Sequence, residues 1–221
     1  MRYVLSAVFV FFLVSTSVQA DAVRTLAWED LQPPLPPLVD PFDTLTEAQQ
    51  DSFISLTGIE ELKRQGINVA ELGFEKDQDE LNIRAKLRAQ GIDPDELLRK
   101  DFEFRQEVER RNGLLNEALN GERVKIPGYA LPLEFSGEAV TEFLLVPYVG
   151  ACIHVPPPPM NQTVFVRVQK PFQPTNLYDP VWVTGLVRVE QSQKNLSLVD
   201  GQSAVDVGYI LEEGTVEPYV E

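Results

Sequence analysis

The stretch RVKIPGYALPLEF, residues 123–135, marks the point at which the chain changes from helix-forming to strand-forming sequence. Upstream of it the sequence is dense in charge, and downstream β-branched and aromatic residues dominate. Because Pro127 and Gly128 are turn-forming residues, the stretch predicts two strands, residues 123–126 and 130–135, joined by a turn. A β domain is therefore expected to begin near this point.

Further strands are predicted across the β domain, which covers residues 121–221. Their β-branched and aromatic residues place them at residues 142–146, 163–169, 181–191 and 205–211. Prolines and glycines mark the turns between them. About five strands in about 100 residues predict a small closed sheet, for which an OB-like barrel is the expected architecture and a sandwich is the alternative.

Residues 44–120 carry the start and stop signals of short helices. Thr46 and Asp93 stand at N-cap positions, and Gly66 and Gly91 fall where helices would end. The fold class predicted for the whole chain is therefore α+β, with a helical insert placed before the barrel. An apolar stripe in this insert is expected to be packing surface, with a partner helix as the alternative use: Leu97, Leu98, Phe102, Phe104, Val108, Leu114, Leu115 and Leu119.

The first 20 residues have the pattern of a cleavable secretory signal. Arg2 supplies the positive charge, an apolar run of about a dozen residues follows, and Ala20 ends a small-residue cleavage site. The run is shorter than the ~20 residues of a spanning helix, so we expect an exported protein that works outside the cytoplasm and does not span the membrane. The proline-rich arm at residues 21–43 cannot be a central strand, and Trp28 predicts that the arm docks on the barrel.

The charge of the chain excludes one class of partner. It has 19 Lys and Arg against 34 Asp and Glu, a net charge of −15. Such a chain repels the phosphates of nucleic acid, so no nucleic-acid partner is expected even for an OB-like barrel. Acidity is also a common solubility device, and by itself it assigns no function.

Cys152 and His154 are the only cysteine and the only histidine, and they stand two positions apart. On a strand such residues face the same side, and zinc prefers sulfur and imidazole ligands. The pair predicts a zinc site that Asp179, Glu142 or a second chain would have to complete. A thiol enzyme with Cys152 as nucleophile and His154 as base is an alternative, although no catalytic motif surrounds them. A purely structural role, as a buried thiol and a core histidine, fits as well.

Several segments resemble an uncharacterised Gram-negative bacterial family, domain of unknown function 3299. The segments are RTLAWEDL at 24–31, VKIPGY at 124–129, FLLVPYVGACIHVPPPP at 143–159, NQ at 161–162 and VWVTG at 181–185. The cysteine–histidine–proline stretch is the most specific of them. The resemblance covers the arm and the β domain, and residues 44–120 look like an insertion of variable length.

The resemblance implies an exported protein with an OB-like barrel. Genes of the family often lie beside those of an ABC-type exporter and of zinc-responsive periplasmic proteins. This implies a periplasmic accessory or binding role near envelope transport and zinc homeostasis, with transporter components or a periplasmic metal-binding protein as partners. The matching motifs mark Trp28, Tyr148, Asn161 and Trp182 as candidate binding residues, to which we add Asp179.

Overall fold

The chain folds as a mixed α+β protein, with three α-helices and one six-stranded sheet among the described residues. The computed structural model describes residues 22–67, 78–149, 151, 157–173, 180–198 and 201–219. The helices are α1 (Glu47–Arg64), α2 (Gln78–Ala89) and α3 (Pro94–Asn112). The strands are β1 (Arg24–Thr25), β2 (Arg123–Ser136), β3 (Ala139–Val146), β4 (Val164–Phe172), β5 (Pro180–Leu198) and β6 (Gly201–Pro218). In these parts of the chain, no helix is long and apolar enough to cross a membrane.

The predicted helix ends are confirmed. Gln49 Oε1 accepts a hydrogen bond from the Thr46 N–H at 2.9 Å, which closes the first turn of α1. The Asp93 carboxylate accepts a backbone N–H of the first turn of α3 at 3.0 Å. Gly66 follows α1 and Gly91 follows α2, with φ of +74° and +79°, a conformation that favours glycine.

The predicted turn at Pro127 and Gly128 is wrong, because β2 runs through both residues as one continuous strand. The first half of β2 pairs with β5 and the second half with β3, so this strand joins two parts of the sheet. Gly128 serves close packing at the crossover, since a Cβ atom there would lie 2.8 Å from the carbonyl oxygen of Val146. The glycine that suggests a turn locally is needed for a contact that is distant in sequence.

Hydrogen bonding closes the sheet into a ring. The strand order is β1-β2-β3-β4-β6-β5, and β2 also pairs with β5, so the five long strands form a closed circuit. Strands β4 and β6 are parallel, and the other neighbours in the circuit are antiparallel. The two-residue β1 pairs with β2 in parallel, which brings the start of the arm against the ring.

Strands β5 and β6 are longer than predicted, with 19 and 18 residues. The sequence predicts an end at residue 191 because the next residues, Ser-Gln-Lys-Asn, are polar. The two strands nevertheless stay paired until Leu198 lies opposite Gly201. We call residues 192–198 and 201–207 the distal hairpin. A hairpin with only one buried face tolerates polar residues on its other face. The polar residues after residue 191 therefore predict a strand end that the structure does not have.

Two hydrophobic cores lie on the two faces of the sheet. Because side chains alternate along a strand, Phe143 and Leu145 belong to the first core, and Leu144 belongs to the second. The first core draws on all five ring strands and on Leu26 and Leu31 of the arm. The second core joins the ring to the distal hairpin and contains Leu131, Leu144, Val146, Ala151, Phe165, Leu196, Val205, Val207 and Ile210.

Arg84 links the three helices through three carboxylates. Its guanidinium contacts Glu60 of α1 at 2.7 Å, Glu80 of α2 at 2.6 Å and Asp95 of α3 at 2.6 Å. Burial alone would lower the pKa of Arg84, but the hydrogen bonds to these carboxylates outweigh it and raise the pKa. Lys63 of α1 adds a second cation to Glu80.

Acid is expected to weaken this network through Glu80. Burial alone would raise the pKa of the Glu80 carboxyl, but hydrogen bonds from Lys63 and Arg84 together lower it. A carboxyl with a lower pKa in the folded state stabilises the fold above its unfolded-state pKa and loses that contribution as the pH falls. We therefore expect the free energy of unfolding, measured by urea titration, to decrease as the pH falls below about 4.5.

The variant Glu80→Gln should show a shallower decrease over the same pH range, because it lacks the titrating group. The control is Glu103→Gln, which removes a carboxylate of α3 that is 59% exposed and pairs with Arg99. This control should keep the wild-type slope. Equal slopes for Glu80→Gln and the wild-type protein would contradict the role given to Glu80.

Candidate functional site

The predicted metal ligands Cys152 and His154, together with the candidate carboxylate Asp179, lie outside the described residues. Two described residues near the Cys–His pair are buried, whereas Val149 before it and Pro157 after it are exposed. Ala151 is fully buried in the second core, and Asn161 is fully buried before β4. Among the residues that the structure describes, no group of three or more His, Cys, Asp or Glu side chains could hold a metal ion.

Glu142, the other carboxylate proposed to complete the zinc site, already has a partner. It forms an ion pair with Arg167 at 2.8 Å, and the two residues lie opposite each other in the pairing of β3 with β4. The hydrogen bond to Glu142 raises the pKa of Arg167. A metal ion at Glu142 would have to displace Arg167, so this carboxylate is a poor ligand candidate.

Asn161 lies at a junction between the C-terminal end of α3 and the start of β4. Its Nδ2 donates hydrogen bonds to the carbonyl oxygens of Arg111 at 2.8 Å and Leu114 at 3.1 Å. Arg111 is in the last turn of α3, where a helix leaves its carbonyls without partners inside the helix, and Leu114 follows the helix by two residues. The Asn161 Oδ1 atom is buried, and it accepts no hydrogen bond from the residues that the structure describes. We call this arrangement the Asn161 junction.

Trp28 of the arm contacts the ring and the residue next to Asn161. Trp28 packs against the first core, and its Nε1 donates to the carbonyl oxygen of Pro127 at 2.9 Å. The side chain of Gln162, next to Asn161, donates to the carbonyl oxygen of Trp28 at 3.0 Å. Trp28 and Asn161, two of the predicted binding residues, therefore lie in one connected region.

Tyr209 of β6 completes the connection between arm, helix and ring. Its hydroxyl donates to the carbonyl oxygen of Leu31 and accepts the N–H of Asn116 at 2.6 Å. The side-chain amide of Asn116 in turn donates to the carbonyl oxygen of Asp30 at 2.8 Å. Burial raises the pKa of Tyr209 to about 12, and the hydrogen bond from Asn116 opposes this only in part. The hydroxyl is therefore protonated, and able to donate, at neutral pH.

A groove of about 480 Å³ lies beside the junction. We call it the Pro157 groove, and it is lined by Glu109, Asn112, Gly113, Pro157, Pro158, Pro159, Met160, Ala204, Val205 and Asp206. Its two carboxylates come from the last turns of α3 and from the distal hairpin. A helix C-terminus carries partial negative charge, so the groove favours a cation over an anion. Asp206 also accepts a hydrogen bond from Gln193 at 3.0 Å, which holds this carboxylate in position.

The other predicted binding residues make different contacts. Trp182 is the third residue of β5, and its ring stacks on Tyr219 with 5.3 Å between the ring centroids. Lys125 Nζ lies 5.2 Å from the Trp182 ring centroid, and it also forms an ion pair with Glu217 at 2.8 Å. Tyr148 follows β3 and is 43% exposed. Trp182 thus belongs to a stacked group on the sheet, while Tyr148 is a surface residue.

Tyr209, Glu109 and Asp206 are parts of this region that sequence reasoning does not find. Tyr209 lies in a strand of alternating apolar residues, where a tyrosine is expected simply to pack in the core. The two carboxylates are among 34 acidic residues, and no spacing distinguishes them. Asn161 was accessible only through the family motif, because a single asparagine before a strand carries no signal of its own.

Comparison with known proteins gives a family match across most of the chain. The sequence profile of a family described as protein of unknown function, DUF3299, matches residues 28–218, which include the three helices and strands β2 to β6. The chain is also similar to a DUF3299 family protein from Pseudomonas aeruginosa PAO1 with a known crystal structure. The two are 30% identical, and the match covers 90% of this chain and 98% of the other, with a TM-score of 0.50. No functionally curated protein matches the chain.

Proposed function

Because the chain belongs to the DUF3299 family of proteins of unknown function, we propose that it is an exported, periplasmic accessory protein of an ABC-type envelope transport system and that it binds zinc. The secretory-signal pattern of the first 20 residues supports the location. The family's gene neighbourhood supports the link to transport and zinc homeostasis. A binding role, with transporter components or a periplasmic metal-binding protein as partners, accounts for these features without an enzymatic activity.

We also infer that the ring of five strands is an OB-like barrel. The OB-fold is a five-stranded Greek-key barrel. Strands β2, β3 and β4 follow one another in the ring, and β5 returns beside β2, which is the Greek-key order. The remaining strand, β6, lies between β4 and β5 and completes the circuit.

The barrel is not expected to bind single-stranded nucleic acid. OB-folds bind oligonucleotides on the face of their second and third strands, which correspond to β3 and β4. On the outer face of these strands, Leu144 is 0% and Phe165 is 1% exposed, because the distal hairpin covers them. The net charge of −15 opposes phosphate binding on the rest of the surface.

The zinc proposal is carried by the position of two carboxylates. Glu109 and Asp206 line the same groove as Pro157, which follows His154 by three residues. Cys152 and His154 would supply a sulfur and a nitrogen ligand, and one or both carboxylates would supply oxygen. With both carboxylates the set has four mixed ligands, as in tetrahedral zinc sites, and with one carboxylate it has three. These carboxylates replace Glu142 in the proposed ligand set, because Glu142 is paired with Arg167.

Zinc titration of the reduced protein by calorimetry tests the proposal. We expect Cys152→Ser, His154→Ala and Asp206→Asn each to weaken zinc binding at least about tenfold, because each removes a ligand. The control Glu103→Gln, which removes an exposed carboxylate of α3 outside this groove, should bind like the wild-type protein. Equal and negligible zinc uptake by the wild-type protein and all variants would refute the zinc site. Unchanged binding in Asp206→Asn and in Glu109→Gln would exclude the groove carboxylates as ligands.

A further inference from the structure

The proline-rich part of the arm favours one backbone conformation. Proline fixes its own φ near −65°, and it excludes the residue before it from the helical region. In residues 32–37, Gln-Pro-Pro-Leu-Pro-Pro, every residue is a proline or precedes one, and the structure has no helix or strand there. Six such residues have the chemistry of a polyproline II helix of two turns, about 19 Å long. We call residues 32–37 the PPII segment; its first residue, Gln32, has φ −88° and ψ 145°.

The fold holds the PPII segment against the body of the protein. Leu31, which precedes it, is 2% exposed, and its carbonyl oxygen accepts a hydrogen bond from the Tyr209 hydroxyl. Within the segment, the carbonyl oxygen of Pro36 accepts a hydrogen bond from Arg111 Nη1 at 2.8 Å. The segment is therefore ordered before any partner binds, which lowers the entropic cost of binding.

The outer side of the PPII segment carries the features that proline-binding modules recognise. Pro34 and Pro37 are both exposed, and they lie on the same edge because a polyproline II helix has three residues per turn. The carbonyl oxygens of Pro34 and Leu35 accept no hydrogen bond from the described residues. Partners that bind such P-x-x-P segments place the prolines in grooves lined by aromatic side chains, and the N–H of a tryptophan in such a groove is a hydrogen-bond donor.

One charge beside the PPII segment has no counterion. A cleft of about 560 Å³ runs along the segment, and Glu29 lines it. Two cations also line the cleft, but Arg24 pairs with Asp30 and Arg111 pairs with Glu107. Glu29 is exposed and forms no ion pair with the residues that the structure describes. A basic residue at the rim of a partner's groove would therefore be complementary to this side of the segment.

We propose that the PPII segment is the docking site for a partner protein that has an aromatic-lined groove with a basic residue at its rim. Aromatic side chains of the partner would pack on Pro34 and Pro37, and its polar donors would bond to the carbonyl oxygens of the segment. This names the chemistry of a partner for the proposed accessory role, so it rests on that role but not on zinc binding. No residue of the PPII segment lines the Pro157 groove.

The test uses a fluorescein-labelled WW domain with an arginine beside its aromatic groove, which binds proline-rich segments. Its fluorescence anisotropy should saturate on titration with the full chain in EDTA, which keeps zinc out of the result. Pro34→Ala and Pro37→Ala should each weaken binding at least about tenfold, and Glu29→Gln should weaken binding and reduce its salt dependence. The matched control is Pro171→Ala, which replaces an exposed proline of β4 and should leave binding unchanged.

A second measurement separates recognition from a structural role of the prolines. The emission of Trp28, measured without denaturant in a Trp182→Phe background, should be the same with and without Pro34→Ala, because Pro34 is exposed and the arm stays docked. Weaker binding accompanied by a changed Trp28 emission would assign the prolines to the docking of the arm and overturn the proposal.

Three further results would overturn the proposal. They are the absence of saturable binding, binding that is unchanged in both Pro34→Ala and Pro37→Ala, and a concentration-dependent dimer of the chain that Pro37→Ala abolishes. The last result would assign the PPII segment to a second copy of the chain. Zinc uptake without binding of the WW domain would remove this proposal alone, and binding of the WW domain without zinc uptake would remove the zinc site alone.

Discussion

Replacement of Phe165 by alanine is expected to lower the free energy of unfolding by about 3–5 kcal/mol. Phe165 is 1% exposed in the second core, so the substitution leaves a cavity between the ring and the distal hairpin. It also removes the ring that lies 4.0 Å from Lys194 Nζ, a cation of the hairpin. Urea unfolding would measure the loss of stability.

Hydrogen exchange would show where that stability is lost. In Phe165→Ala, the amides of the distal hairpin should lose protection before those of the ring, because Phe165 is the largest side chain beneath the hairpin. The matched control is Phe143→Ala, an equally buried phenylalanine of the first core. Phe143→Ala should lower the free energy of unfolding by a similar amount, about 3–5 kcal/mol. In this variant, however, the amides of the ring strands should lose protection first. The same exchange pattern in both variants would contradict the division into two cores.

Replacement of Tyr209 by phenylalanine is expected to cost about 2–4 kcal/mol, although it removes only one oxygen atom. The Leu31 carbonyl oxygen would lose its partner in a buried contact, and the Asn116 N–H would lose its partner in a part-buried one. Each buried polar group without a partner costs about 1–3 kcal/mol. The loss should be concentrated in the arm, and Trp28 fluorescence in a Trp182→Phe background would report the arm's release at a lower urea concentration.

Two controls accompany the Tyr209 variant. Tyr148→Phe removes the hydroxyl of a tyrosine that is 43% exposed, and it should change stability by less than about 0.5 kcal/mol.

Alkaline pH provides the second control, because the raised pKa of Tyr209 favours the neutral hydroxyl in the folded state. Its contribution is complete below the unfolded-state pKa of 10.0 and is lost as the pH rises towards about 12. A Tyr209→Phe variant as stable as the wild-type protein would show that the hydroxyl does not hold the arm.

The parts of the fold that depend on neighbours in sequence could be predicted. Thr46 and Asp93 cap helices within three residues of themselves, so their chemistry is complete in a short window. Trp28 packs against the first core, and an exposed tryptophan is costly almost anywhere. The α+β class and the order of arm, helices and strands follow from such local signals together.

The parts that depend on distant contacts could not be predicted. Pro127 and Gly128 have the chemistry of a turn, and only the approach of Val146 and the pairing with β5 make them part of a strand. The second core has no separate pattern, because its residues alternate with those of the first core. At the candidate site, the motif marks Asn161, but its use as a partner for the end of α3 depends on carbonyl groups about 50 residues earlier in the chain.

The docking of the arm also fixes an order of events during synthesis. Trp28 and Leu31 leave the ribosome early, but their hydrogen-bond partners lie 99 and 178 residues later in the chain. At about 5–20 residues per second, Leu31 is made some 9–36 seconds before Tyr209. The arm is thus among the first segments synthesised and among the last to be buried. A chain that stops short of residue 209 already contains Pro127 and Gln162, the partners of Trp28, but it lacks the Tyr209 hydroxyl that holds Leu31. The apolar end of the arm then has no fixed place, and this is the state in which the protein most needs a chaperone.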